Sequence, residues 1–393
     1  MPFKECTLVS QREEFCRLAR APGANRRELC RRWGISPQTG YKWLGRYGDG
    51  VDADLTDRSR RPLSSPLRTA ATMEAQVVSI RREHPAWGGR KIRRVLEDRG
   101  LSGVPSASTI TAILRREGLL EGPRAGVSRD YGRFEHEHPN DLWQMDFKGH
   151  FGLEQGRCHP LTVLDDHSRY ALEIGACGDE RGGTVRARLE SVFRRHGLPW
   201  RMLTDNGPPW GSSGGERFTK MVVWLLDLDV AVSHGRPHHP QTQGKDERFH
   251  RSLKAEVLDG RSFADLAAAQ RAFDAWREVY NAVRPHEGIG LATPASRYAP
   301  SRRAMPDRIA APDYEPGAIV RKVSSTGWIL FRNRKLFCSK AFAGKPVALR
   351  PTSADGVFDI CYRRYVLAQV DLRQHVVRSV HHVPEQVSPL TPV

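Results

Sequence analysis

DLWQMDFKG (141–149), RMLTDNGPPWGS (201–212) and RPHHPQTQGKDERFHRSLK (236–254) decide the reading of this chain. In the first, Asp146 interrupts an apolar run with the composition of a strand. A carboxylate there must be paired, hydrated or metal-bound, because an isolated charge in a low dielectric is costly. In the second, Asp205 closes a short strand before an Asn-Gly turn, at the strand end where α/β sheets usually place ligands. In the third, Glu247 stands near the start of a helix. The three are separated by 59 and 42 positions. Three converging carboxylates repel one another, which suits a site neutralised by Mg²⁺. Two such ions about 4 Å apart would serve an in-line phosphoryl displacement. The competing reading is three unrelated surface or capping carboxylates.

Working outward, WQMDF, HPLTVLDD and YALEIGA read as successive strands. A helix over about 183–196, the strand WRMLTD, a helix over about 216–226, the strand VAVSH and helices over about 243–258 and 263–280 follow. That order predicts a mixed α/β core over 139–300. Residues 317–372 change character to short β-rich runs at close spacing, which predicts a small all-β barrel or sandwich, assigned as a barrel over 312–375. A tail over 376–393 follows.

The N-terminal part is helical. Residues 1–48 predict three helices. Gly34 ends the second, and Ser36 and Pro37 start the third as cap and first residue. That is the plan of a helix-turn-helix. It would direct Gln38, Thr39, Tyr41 and Lys42 to bases in a major groove. After a linker (49–72), Ile92, Val95 and Leu96 and then Ile110, Ile113 and Leu114 form helical stripes in a second helix-turn-helix-like unit over 73–120. Arg90, Lys91, Arg93 and Arg94 are its candidate phosphate contacts. A second linker spans 121–138.

The 62 Lys plus Arg residues against 45 Asp plus Glu give a net charge of +17, of which +10 falls in residues 1–125. Such a bias favours a polyanion partner, because each neutralised phosphate releases counterions. The seven cysteines are scattered without a C-x-x-C pair, which argues against zinc fingers. No apolar run is long enough for a membrane span, and the N-terminus lacks a signal-peptide core, so a cytoplasmic, nucleoid-associated protein is expected.

Taken together, these segments resemble the bacterial insertion-sequence transposases whose catalytic core is shared with retroviral integrases. WQMDF matches the first-Asp strand, LTDNGPPW the T-D-N-G segment and HPQTQGKDERFHRSLK the H-P-Q-(T/S)-x-G-x-x-E-R segment. The resemblance is close over 140–300, including DDHSRY and YNAVRPHEGIGLATP, and looser outside. It implies a ribonuclease-H-like fold and assigns metal roles to Asp146, Asp205 and Glu247. Two Mg²⁺ ions, replaceable by Mn²⁺, double-stranded DNA (element ends and target) and a homo-oligomer on DNA follow as expectations. Asp246 stands where the family more often has an apolar residue, and the alignment leaves it solvated. Asp165 and Asp166 read as a structural turn rather than ligands. Lys245, Arg248, Arg251 and Lys254 are candidate phosphate contacts near Glu247. Arg284 and His286 are candidates either for DNA contact or for fixing their loop. The rival readings are a non-catalytic DNA-binding regulator that kept the scaffold and a general nuclease without end specificity.

Overall fold

The computed structural model describes residues 7–48, 54–58, 68–120, 135–211, 218–235, 244–373 and 376–379. It divides into two compact units, Met1–Arg68 and Thr69–Val393.

The first unit holds α1 (Leu8–Ala19), α2 (Arg26–Arg32) and α3 (Pro37–Tyr47). Side chains of Thr7, Asn25 and Ser36 cap the three helices by accepting backbone N–H bonds. Gly34, at φ +64°, makes the turn into α3, as the sequence predicts. Phe15, Cys16, Cys30 and Trp43 form the small core.

The second unit opens with α4 (Ala71–Glu83), α5 (Gly89–Asp98) and α6 (Ala107–Arg116). Their apolar stripes meet around Trp87, Ile92, Leu96, Ile110 and Leu114. Gly89 permits the α5–α6 approach: a Cβ there would lie 2.3 Å from the Ala107 carbonyl oxygen.

The central sheet contains β1 (Leu142–Phe147), β2 (Phe151–Gly152), β3 (Arg157–Asp165), β4 (Ala171–Cys177), β5 (Arg201–Thr204) and β6 (Ala231–His234). β3 lies between β4 and β1 and is antiparallel to both, while β1, β5 and β6 run parallel. α7 (Gly182–His196) and α8 (Lys220–Asp227) supply the crossovers and cover the face that shows Trp143, Met145, Leu161 and Val163. α9 (Gly244–Leu253) and α10 (Leu266–Glu278) cover the other face with Phe249, Leu253, Phe273 and Trp276. Each ends in a π-helical turn, Lys254–Leu258 and Val279–Val283. Three antiparallel strands followed by two parallel ones between helical layers is the ribonuclease-H-like plan.

The C-terminal region is all-β, but it is not the expected barrel. β7 (Ile319–Lys322), β10 (Pro346–Pro351), β11 (Val357–Tyr362), β12 (Tyr365–Asp371) and β13 (Val376–Ser379) form one antiparallel sheet in the order β13-β12-β11-β10-β7, and β8 (Trp328–Phe331) pairs only with β9 (Arg334–Phe337) among the described residues. The hairpin covers the apolar face of the sheet, with the Phe331 and Phe358 rings 5.0 Å apart. Burial is thereby achieved by layering, so the ladder has no need to close. β13 also falls inside the stretch expected as a loose tail: Val376–Ser379 pairs with β12. This sheet is fastened to the core. Asp227, at the end of α8, accepts from Lys345 Nζ (2.6 Å) and Tyr362 Oη.

Gly89→Ala tests the α4–α6 packing. Alanine is the better helix former by about 1 kcal/mol, but the backbone overlap forces α5 and α6 apart. Thermal denaturation should show a net loss of roughly 1–3 kcal/mol. A stabilised variant would refute the close crossing.

Candidate active site

The site begins with strand register. β1 and β5 pair in parallel with Gln144 opposite Leu203. Carrying that register two residues on brings Asp146 level with Asp205, on strands about 4.8 Å apart. Both acids therefore leave the same end of two parallel strands. The tight turn after β5 fixes Asp205: its Oδ1 accepts from Gly207 N (3.0 Å) and from the Trp210 indole N–H. The Trp210 ring in turn stacks on Phe147, 5.7 Å between centroids. Gly211 is required in this turn, because a Cβ would collide with the Asn206 carbonyl.

Asp146 is supported from β3 and α9. Thr162 Oγ donates to the Asp146 carbonyl oxygen (3.0 Å), and His250 Nε2 lies 2.8 Å from the same hydroxyl. The hydroxyl has one proton to give, so His250 Nε2 is the donor toward Thr162. Nδ1 then faces Asp146 Oδ2, 4.0 Å away, as a bare nitrogen. Burial, and then the Lys148 charge, holds His250 down at about 4, so the ring is neutral at pH 7. Asp146 is pushed up to about 7, first by burial, then by the charge of Asp205, with Glu180 and Glu247 adding to it.

Glu247 lies on the first turn of α9, exposed, with Arg248, Arg251 and Lys254 also exposed on this helix and the π-turn that continues it. Its charge reaches Asp146. Among the described residues, however, no three His, Cys, Asp or Glu side chains converge closely enough to hold a metal ion. Asp246 corrects a sequence expectation. It is not solvated but 2% exposed, and its Oδ1 has no hydrogen-bond partner among the described residues. Burial raises its carboxyl far above the usual range, with Asp146 and Asp166 adding to the effect. The reason is helical phase: Asp246 precedes Phe249 and Leu253 on the buried stripe of α9. Extending that stripe back by three residues was the signal that would have found it.

Lys245 also departs from expectation. Its ammonium turns inward to the Asp166 carboxylate instead of standing out for phosphate. Asp165 and Asp166 behave as the structural pair predicted. Asp165 is buried and binds Ser168 and Asn140. Arg284 and His286 are buried as well, with Arg284 Nε 3.0 Å from Glu256 Oε1, so both fix their loop.

In the helical units, Gln38, Tyr41 and Lys42 share the exposed side of α3, whereas Thr39 is half-buried and bonded to Ser36. Arg93 and Arg94 are engaged by Glu97 and Asp98 at i+4, and Arg90 stands 3.9 Å from Glu287. Lys91 is held down at about 8, chiefly by burial and next by Arg284. The sequence alone does not mark Thr162 and His250 as supports, because each depends on cross-strand or strand–helix pairing, whereas Trp210 stands five residues from Asp205 in the same segment, which was a signal for it.

Residues 136–240 match the family described as integrase core domain, and residues 228–294 match a second family of that description. The central region is thus an integrase core. Residues 318–378 match the C-terminal domain of IS481 family transposases, and 8–53 and 39–114 match two homeodomain-like domain families. Segment by segment, the chain is thus similar to insertion-sequence transposases and to integrase cores. It is 27% identical over 261 residues to the 39.2 kDa protein of insertion element IS476 from Xanthomonas euvesicatoria, spanning 64% of this chain and 72% of that protein. It is also 27% identical over 254 residues to the 31.7 kDa protein of insertion element IS407 from Burkholderia multivorans, spanning 63% and 88%. The cryo-EM structure of the simian T-cell lymphotropic virus intasome in complex with PP2A regulatory subunit B56 gamma is similar over 77% of this chain and 98% of that one. Its identity is 15% and its TM-score 0.38.

Asp146 gives a stability prediction. Its folded pKa is raised from 3.8 to about 7, so its contribution is intact below the unfolded value and lost as pH rises toward 7. Without divalent cations, Asp146→Asn should melt at about the wild-type temperature near pH ~4 and above it near pH ~8. Equal melting temperatures at pH ~8 would refute the raised value.

Proposed function

We propose that this transposase binds the ends of a mobile element and performs DNA strand cleavage and strand transfer there, with Asp146, Asp205 and Glu247 holding two divalent cations, Mg²⁺ or in its place Mn²⁺. One observation carries the reading: Asp146 lies near the end of β1, Asp205 directly follows the parallel neighbour β5, and the charge of Asp205 adds to burial in raising the Asp146 carboxyl to about 7. Such a pair is poorly stabilised as two anions and favours neutralisation by cations. The donor set is all-carboxylate, as hard cations prefer.

When bound, the cations would polarise the scissile phosphate and activate water or a 3′-hydroxyl. The protein's own part is positioning. The Trp210 and Gly207 N–H groups fix one oxygen of Asp205. His250 and Thr162 hold the β1 backbone at Asp146. Glu247 would come in from the exposed first turn of α9, beside Arg248, Arg251 and Lys254, which lie ready for phosphate. Gln38, Tyr41 and Lys42 on α3 would read a major groove, and Arg90 and Lys91 would add backbone contacts. Joining two element ends in one event calls for at least two copies on double-stranded DNA. A non-catalytic DNA-binding protein is the second reading, favoured by the exposure of Glu247.

Asp205→Asn and Glu247→Gln should each lower Mg²⁺-dependent cleavage of end-containing DNA by ~10³-fold or more while end binding persists. Cleavage that survives either change refutes the carboxylate site. Because Asp146 must lose its proton, Mn²⁺ affinity measured by calorimetry should rise up to about tenfold per pH unit below pH ~7 and flatten above it.

A further inference from the structure

Asp166 is 1% exposed and lies among three separate pieces of the molecule. Its Oδ1 accepts from Gln144 Nε2 on β1 (2.6 Å) and from Lys245 Nζ on the first turn of α9. Its Oδ2 accepts from His136 N (2.9 Å). Lys245 also reaches the Asp166 carbonyl oxygen at 3.4 Å. The Asp166 backbone is itself held, with its N–H donating to the Leu142 carbonyl at 2.9 Å.

The sequence positions make this arrangement informative. Gln144 is two residues before Asp146 and on the same face of β1. Lys245 is two residues before Glu247 in the same helical turn. One buried carboxylate therefore grips the strand that carries one acid and the helix that carries another. Buried charged hydrogen bonds are short and directional, so they fix geometry more tightly than apolar packing can.

We propose that Asp166, acting through Lys245, is a positioning residue. The pair sets where the first turn of α9 lies against β1, and hence where Glu247 stands relative to Asp146. Lys245 is then a structural cation and not a contact for DNA. The inference rests on the carboxylate-site reading above, but its geometric half can be judged without it.

The full-length chain is tested with Lys245→Met, Lys245→Arg, Asp166→Asn and the Asp166→Asn/Lys245→Met double variant. The first readout is amide hydrogen exchange in 244–248 without DNA or cations. Lys245→Met and Asp166→Asn should speed exchange there, while Lys245→Arg should restore protection. The second is single-turnover cleavage of bound end DNA. Loss of the clamp should slow it about 100-fold, as a misplacement near 1 Å would, with the DNA Kd within about threefold and the double variant no worse than the worse single. Should Asp166→Asn fail to fold, Lys245→Met and Lys245→Arg decide alone. Unchanged exchange in Lys245→Met overturns the proposal. So does a rate loss that saturating DNA restores, which would make Lys245 a phosphate contact. If Glu247→Gln leaves cleavage intact, the carboxylate-site reading fails, and the exchange data still judge the clamp.

Discussion

Parallel pairing of β1 with β5 is the constraint on which the site depends. Neighbouring strands keep a fixed separation and a fixed register up to the Gln144–Leu203 pair, so the acids two residues beyond that pair are held near each other. The remainder of the core serves that pairing. β3, itself paired with β4, holds β1 from its other edge, α7 and α8 bury the Trp143–Met145 face, and α9 closes the opposite face with Phe249 and Leu253. The charge repulsion built into the pair is sustained by this packing and shows as the raised Asp146 carboxyl.

Supporting contacts around the acids come from several elements. Trp210 and Gly207 act on Asp205 from its own turn, whereas Thr162 and His250 act on Asp146 from β3 and α9. Asp166 links β1 to α9 from the turn after β3. The carboxylates thus lie near where the sheet ends; Asp205 is oriented by its own turn, and Asp146 is supported by side chains that are neighbours only after folding.

This explains what the sequence disclosed and what it withheld. Strand composition put Asp146 inside a strand, and the T-D-N-G segment put Asp205 at a strand end before a turn, because both signals are local. Gly34, Ser36 and Pro37 predicted the start of α3 for the same reason. The phase of α9 was harder, since two adjacent acids at a helix start look alike until the stripe Phe249–Leu253 is extended backward to Asp246. The inward course of Lys245 had no local signal at all, because its partner lies 79 residues away. The barrel expectation failed for a related reason. Short alternating strands specify a buried face but not whether that face is covered by closure or by a hairpin, and here β8–β9 supplies the cover.

The crossing that leaves the core is clamped at Arg303. Its guanidinium lies 4.2 Å from the Trp200 ring centroid and donates to the carbonyls of Pro199 (2.5 Å) and Asp229 (2.7 Å). Asp229 also receives Arg364 (2.7 Å) and Tyr365 (3.1 Å) from the β-rich region. The last domain is therefore bolted on and not strung behind. A ligand gripped by that domain would sit at a set offset from the paired acids, like work held in a jig.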